Sequence, residues 1–302
     1  MNKYSGLLQG EVLDLREEIA LVSPTDTPLY TMLAGRGQIT QAKDITVSWR
    51  QKELNAVRGT LKLEGDEAGS AINSSRVMKQ NITQILEKVV SVSGTVRALA
   101  VKGIGDEFIA EVQDRMVEMK RDAEYYFLNG TYTLESGSTP RQMNGLLNLV
   151  ENTKNITDRD GVGVGILTEN DILDAMQGIW NAGAQGSYVA FLNASEKRIV
   201  NSLLKNNANA RIVAEAGDNV YGVKVAKVDT DFGQVSFVLN RHMPTGQILA
   251  VDLDLVEIAE LRSPFYEDLA KTGDYSKGHV VAEQTIKLLN TKAGAKIVGI
   301  TG

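Results

Sequence analysis

The feature that most constrains this chain is one long run of apolar side chains spaced for a single helix face: Ile104, Phe108, Val112, Met116, Met119, Ala123 and Tyr126. Asp106 and Glu107 suit the positive end of a helix dipole, Lys120 and Arg121 lie towards the other end, and Asn129-Gly130 supplies a stop. At the usual rise per residue, Asp106 to Leu128 predicts a rod of about 35 Å. Its opposite face is charged, with seven acidic and three basic residues between Ile104 and Leu128.

Two segments before this helix have little to bury. The stretch to about Lys43 holds one short amphipathic pattern, Leu7 to Ile19, and then SPTDTPLY, whose two prolines argue against regular structure and for an extended arm. From Asp44 the pattern alternates, with Ile45, Val47 and Trp49 on one strand face, and Lys88 to Thr95 (KVVSVSGT) alternates similarly. Between them the polar stretch Glu64 to Ser75 reads as the tip of a long two-stranded excursion. Ordering an isolated arm or hairpin is costly, so both are expected to lie on a partner surface.

The middle, roughly 141–252, reads as a compact α/β unit. Thr168 with Asp171 forms a capping box opening a helix that carries Ile172, Ala175, Met176 and Ile179. Ser187 to Leu192 (SYVAFL) predicts a buried strand, followed by a helix from about Ala194 to Lys205. Val223 and Val225, then Val235, Phe237 and Leu239, alternate on either side of the turn TDFG. From Leu253 the chain returns to strands: LVEIAEL, VVAEQTIKLL and AKIVGI.

Composition removes several function classes. A chain of 302 residues that is 43% hydrophobic can bury a real core. The absence of Cys excludes disulfides, thiolate metal sites and a Cys nucleophile. The opening MNKYSGLLQG has no apolar signal region and no stretch approaches a membrane span, which predicts a protein that stays in the cytosol where it is made. A formal charge of −6 and a pI near 5.2 oppose a basic nucleic-acid grip, although a mildly acidic wall would suit a vessel holding DNA without sticking to it.

Local strings that imitate catalytic motifs lack their companions. Ser202 to Lys205 matches S-x-x-K and Lys271-Thr272-Gly273 matches K-T-G, but Gly217 to Asn219 is not the S-D-N required beside them. Asp231-Phe232-Gly233 lacks every other kinase element, and a strand turn explains it better. Gly161, Gly163 and Gly165 precede a helix without the spacing of a dinucleotide loop. His242 and His279 have no second ligand at zinc spacing, and Asp252 with Asp254, or Asp229 with Asp231, read as solvated edge carboxylates. No catalytic residue, metal or cofactor is expected.

Seven strings taken in order carry a resemblance: LVSPTDTPLYTML from Leu21, Trp49 with LKLEGDEA from Leu61, VVSVSGTVRA from Val89, MKRDAEYYFLNG from Met119, NGLL around Gly145, TDFG, and the long block from Leu261 to Asn290. Together they resemble the major capsid proteins of tailed bacteriophages built on the Hong Kong 97 type fold, in the family of the major capsid protein of Escherichia phage SU10. The resemblance implies an α+β fold with an N-terminal arm (1–43), an extended β-hairpin loop (44–94), a peripheral domain with its spine helix (95–140), an axial α/β domain (141–252) and returning peripheral strands (253–302). It implies hexamers and pentamers of an icosahedral shell around double-stranded DNA, in a virion assembled in the bacterial cytoplasm. Partners would be further copies, a portal protein, scaffolding or decoration proteins, and DNA touched non-specifically. Inter-subunit contacts are expected at Pro24, Thr25, Asp26, Thr27 and Pro28 of the arm and at Trp49, Glu64, Gly65, Asp66 and Glu67 of the loop. The rival readings are an encapsulin-like compartment of the same fold, a cytosolic hydrolase or nucleotide enzyme built on the central unit, and a binding module or minor virion protein.

Overall fold

The computed structural model describes residues 26–54, 61–67, 73–98, 107–157, 165–184, 186–206, 214–215, 219–220 and 223–301. The Leu7 to Ile19 pattern, Pro24 and Thr25 fall outside them. Where an extended arm was expected, the backbone forms helix α1 (Pro28–Gly35). Pro28 takes the first turn, where a helix does not need its N–H, and Leu29, Met32 and Leu33 share one fully buried face. Strand β1 (Ile39–Gln41) follows. The arm from Asp26 onwards is therefore part of the chain's own core, because its three apolar residues recur at helical spacing.

Strands β2 (Thr46–Glu53) and β3 (Ser75–Ile82) form the two-stranded hairpin, with Thr46 opposite Ile82 and Glu53 opposite Ser75. The return strand is thus not Lys88 to Thr95. That run covers the second half of β4 (Gln84–Ser93) and the first two residues of the helix after it, and β4 turns at Thr83 into a different sheet. Alternation alone could not separate the two, since it marks a half-buried strand without naming its neighbour. A short helix α2 (Gly94–Ala98) ends this section.

The spine helix is α3 (Glu107–Asn129), in the register that the apolar spacing predicted. Phe108, Met119 and Ala123 are buried on the expected face, whereas Met116 is exposed. After it come α4 (Leu146–Leu149) and β5 (Asn152–Asn155), then α5 (Glu169–Asn181), β6 (Tyr188–Leu192) and α6 (Ala194–Asn206). The Thr168–Asp171 capping box is present, and Ile172, Ala175, Met176 and Ile179 are all buried. The short β7 (Ala214–Glu215) and β8 (Asn219–Val220) precede the TDFG hairpin of β9 (Val223–Thr230) and β10 (Gly233–Leu239). Val235 and Phe237 point inward as expected, while Leu239 is exposed and Val238 is buried on the sheet's other face. The chain ends with β11 (Gln247–Val251), β12 (Val256–Asp268), β13 (Tyr275–Leu288) and β14 (Gly294–Val298).

Two main sheets organise these elements. One has the order β1-β12-β13-β4, and α3 packs across β4 and β13. The other runs β5-β14-β11-β6-β10-β9-β7, with β8 attached to β9. Strand β14 therefore lies in this eight-stranded sheet, parallel to β5 and antiparallel to β11, and is not paired with β12 or β13, the strands it was expected to accompany. The physical reason is a reversal at Asn290 to Ala293, where the Ala293 N–H donates to the Asn290 carbonyl and turns the chain away from β13.

Both faces of the eight-stranded sheet are covered, so β6 is apolar throughout instead of alternating. Tyr188, Ala190 and Leu192 pack with the face of α5, while Val189 and Phe191 join Val238, Leu249 and Val251 in one continuous core with α1, α3 and β13. The two main sheets are distinct but share a core.

Candidate functional site

The arm is seated by one buried carboxylate. Glu124 sits on α3 among residues expected to face water, yet it is wholly shielded. Its Oε1 accepts from the Leu29 N–H at 2.9 Å and from Asn240 Nδ2 at 2.6 Å, and its Oε2 accepts from the Tyr30 N–H at 2.7 Å. The Leu29 and Tyr30 N–H groups are orphan donors at the start of α1, which a negative end-group suits. Burial pushes the Glu124 carboxyl up to about 7, with the three N–H donors and the charge of Lys120 opposing that shift. Around it the Tyr30 ring stacks on Phe127 at 6.1 Å, and Lys120 Nζ donates to Thr31 Oγ1 at 3.2 Å.

The hairpin is clamped where it leaves the body. Buried Asn81 donates through Nδ2 to the carbonyls of Asn144 and Ile286, at 2.9 and 2.7 Å, and its Oδ1 accepts from the Asn144 N–H at 2.8 Å. Gln51 Nε2 donates to the Leu289 carbonyl at 2.9 Å, and Lys79 pairs with Glu151 at 2.6 Å. Beside this root, Arg141 reaches the Thr83 carbonyl at 2.8 Å and ion-pairs with buried Glu283, which also accepts from Thr83 Oγ1 at 2.8 Å and Arg262 Nε at 3.0 Å. Burial alone would raise the Glu283 carboxyl, but the hydroxyl and the two guanidiniums outweigh it and hold it below the usual range.

Beyond the root the described residues of the hairpin leave their large apolar side chains in water. Leu54, Leu61 and Leu63 are 80, 100 and 84% exposed, and Val77 and Met78 on β3 are exposed as well. Glu64, Gly65, Asp66 and Glu67 form an exposed acidic turn in which the Asp66 N–H donates to the Leu63 carbonyl at 3.2 Å. Gly65 has φ of +84°, which favours glycine there.

The expected contact residues thus divide. Glu64, Gly65, Asp66 and Glu67 lie together at the tip, and exposed Asp26 pairs with Arg241 at 3.3 Å. Thr27, Pro28 and Trp49, by contrast, are buried in the chain's own core, Trp49 to 9% exposure, and Pro24 and Thr25 fall outside the described residues. Sequence reading missed Leu61 and Leu63, although the string LKL beside an acidic turn was their signal. It also missed Glu124, because charge on a helix is read as outward by default.

The strings that imitated enzymes remain scattered. Ser202 is exposed on α6 with its hydroxyl on the Ile199 carbonyl at 2.7 Å, whereas Lys271 lies in the β12–β13 connection of the other sheet. The DFG string is the β9–β10 turn, where Thr230 Oγ1 donates to the Gly233 carbonyl at 2.6 Å. Gly165 is tied by its backbone to Thr301, and Gly161 and Gly163 fall outside the described residues. Asp252 caps a 3₁₀ turn and Asp254 pairs with Arg36. His279 lies 2.6 Å from Glu87 and 3.6 Å from Glu267, and no metal-holding group of His, Asp or Glu occurs among the described residues.

This architecture recurs in solved shells. The cyanophage A-1(L) capsid subunit matches with a TM-score of 0.73 at 12% identity, covering 96% of this chain and 97% of that one. The capsid of a native GTA particle matches with 0.66 at 11% over all of both chains. The holo-SrpI encapsulin complex of Synechococcus elongatus PCC 7942 matches with 0.61 at 12%, over 94% and 92%. The fold is therefore of the Hong Kong 97 type. Among sequences, the major capsid protein of Escherichia phage Phieco32 is 26% identical over 97% of this chain and 95% of its own length. The SU10 major capsid protein family matches residues 3–301, and the chain belongs to that family.

Proposed function

We propose that many copies of this chain close into an icosahedral shell of hexamers and pentamers that encloses a double-stranded DNA genome, the work of a major capsid protein of a tailed phage. The observation that carries the reading is the hairpin: pinned at its root by Asn81 and Gln51, it presents Leu54, Leu61 and Leu63 to water. Burying three leucines against a neighbour would return roughly 4 to 9 kcal/mol per contact, and a surface that meets a different patch on the next copy generates rings. Asp26 and the acidic turn Glu64 to Glu67 are the contact residues we retain. Thr27, Pro28 and Trp49 support those contacts from inside the chain.

The role is structural, and no chemistry is assigned to Ser202 or Lys271. Portal, scaffolding and decoration proteins are proposed partners, with assembly in the bacterial cytoplasm and non-specific DNA contact in keeping with a formal charge of −6.

Negative-stain electron microscopy of the purified chain, with light scattering after size exclusion, tests this. Closed particles or capsomer rings are expected, and enclosed nucleic acid instead of protein cargo separates a virus shell from a cellular compartment. A monomer or dimer that persists at high concentration with its cognate scaffold would overturn the reading.

A further inference from the structure

We propose that the outward face of the hairpin docks on an acidic ridge of the spine helix in a neighbouring copy, a cluster of three cations meeting three carboxylates. The contact rests on the shell reading above and names the two surfaces that meet. On the face of β2 and β3 that holds Trp49, the charges are paired within the chain, Lys79 with Glu151 at 2.6 Å and Glu53 with Lys292. The opposite face carries Arg50, Lys52 and Arg76 around Met78, and all four are exposed. None of the three cations has an ion-pair or hydrogen-bond partner among the described residues. Lys52 stands directly opposite Arg76, and like charges so placed destabilise a ribbon on its own. An anionic partner offsets that cost.

The matching surface lies on α3. Glu111, Asp114 and Glu118 recur at three- and four-residue spacing, so they share one face over about 10 Å of helix. Arg115, the base among them, is shared by Glu111 and Glu118, while exposed Asp114 has no partner among the described residues. On the ribbon, Lys52 and Arg76 sit side by side and Arg50 lies about 7 Å further along β2, a cluster of similar extent. Exposed Met78 on the ribbon and exposed Val117 beside Asp114 add apolar contact at the same place. One chain cannot make this contact with itself. Trp49 lies in the core shared with α3, so the cationic face points away from the chain's own spine helix. A hairpin of one copy on the helix of the next joins unlike surfaces, the arrangement that generates rings. Nucleic acid fits the ribbon less well, because the acidic turn with Glu64, Asp66 and Glu67 repels phosphates.

The experiment is a charge swap in the whole chain, with particles counted by electron microscopy and light scattering under the conditions that close the wild type. Lys52→Glu with Arg76→Glu, and separately Asp114→Lys with Glu118→Lys, are each expected to cut the yield of closed particles roughly tenfold or more, with the circular dichroism of the unassembled chain unchanged. All four substitutions in one chain should restore closure. Wild-type shells beside reversed chains that close equally well overturn this contact alone, whereas a wild type that never closes overturns the shell reading and this contact with it. Loss without restoration also overturns the contact, and binding of a short DNA duplex by the wild type but not by Lys52→Glu with Arg76→Glu would then assign the cations to nucleic acid. Should a reversed chain fail to fold, the neutral pairs Lys52→Gln with Arg76→Gln and Asp114→Asn with Glu118→Gln decide. Their losses must be less than additive when combined, and additive losses overturn the contact.

Discussion

The arm and the hairpin have similar sequences in one respect: each carries a short apolar string in polar surroundings, the arm's beside two prolines and the hairpin's beside glycines and charges. Their fates differ. Leu29, Met32 and Leu33 of α1 are fully buried against the spine helix and β12–β13, so the arm's apolar face is satisfied within one chain. Leu61 and Leu63 of the hairpin tip stand 100 and 84% exposed, so theirs is not. Helical spacing gathers three residues onto one stripe that a single groove can cover. A two-stranded ribbon has no layer beneath it and must find one elsewhere. Assembly, on this view, depends on the second kind of segment and chain stability on the first.

Four variants would break or sharpen that contrast. The largest effect is expected from Leu61→Ser combined with Leu63→Ser. Closed particles should disappear from micrographs, while urea unfolding of the unassembled chain moves by no more than about 0.5 kcal/mol. Shells that form normally would remove the hairpin from the interface. Next comes Leu33→Ala in the arm, which leaves a cavity under α1 and should cost about 2 to 5 kcal/mol in the same unfolding measurement. A cost near zero would mean the arm is not part of the core.

Third, Arg141→Met at the hairpin root leaves Glu283 buried with one guanidinium fewer and should destabilise by about 1 to 3 kcal/mol. Because the Glu283 carboxyl is held below its ordinary 4.5, this stabilisation is present above that value and lost as pH falls through the folded one. The cost of the substitution should shrink accordingly in acid, and a cost independent of pH would count against an ionic role. The smallest effect lies outside both regions. Lys197 Nζ is buried over the Phe237 ring at 5.1 Å without a hydrogen-bond partner among the described residues, and burial lowers its amine to about 8. Lys197→Met should raise the thermal midpoint slightly at pH 7. That gain should vanish as pH climbs from about 8 towards 10.5, where the wild-type amine no longer pays for carrying a buried charge.

Legibility followed locality. The capping box at Thr168 and Asp171, the stripe of α3 and the apolar run of β6 could be read from neighbouring residues, because helix and strand periods are written within a few positions. The acidic turn at Glu64 to Glu67 was legible for the same reason, as a place with nothing to bury. Glu124 was not, since its burial depends on Asn240, which lies 116 positions away, and on an arm that comes from before the helix. The burial of Trp49 is not legible locally either, because its partners in the core come from distant parts of the chain.

By itself the sequence determined most of the kinds of elements, the arm helix α1 excepted, their order, and which faces had to leave water, together with a string of motifs specific enough to indicate the shell family. The tertiary structure decided which strand pairs with which: that β3 rather than β4 completes the hairpin, that β14 joins β5 and β11, and that the described part of the arm, from Asp26 onwards, packs into its own chain's core. A strand's alternation specifies the face it buries but carries no label for its neighbour. That choice is made by hydrogen-bonded edges and side-chain packing brought together from across the chain, and only the folded molecule contains it.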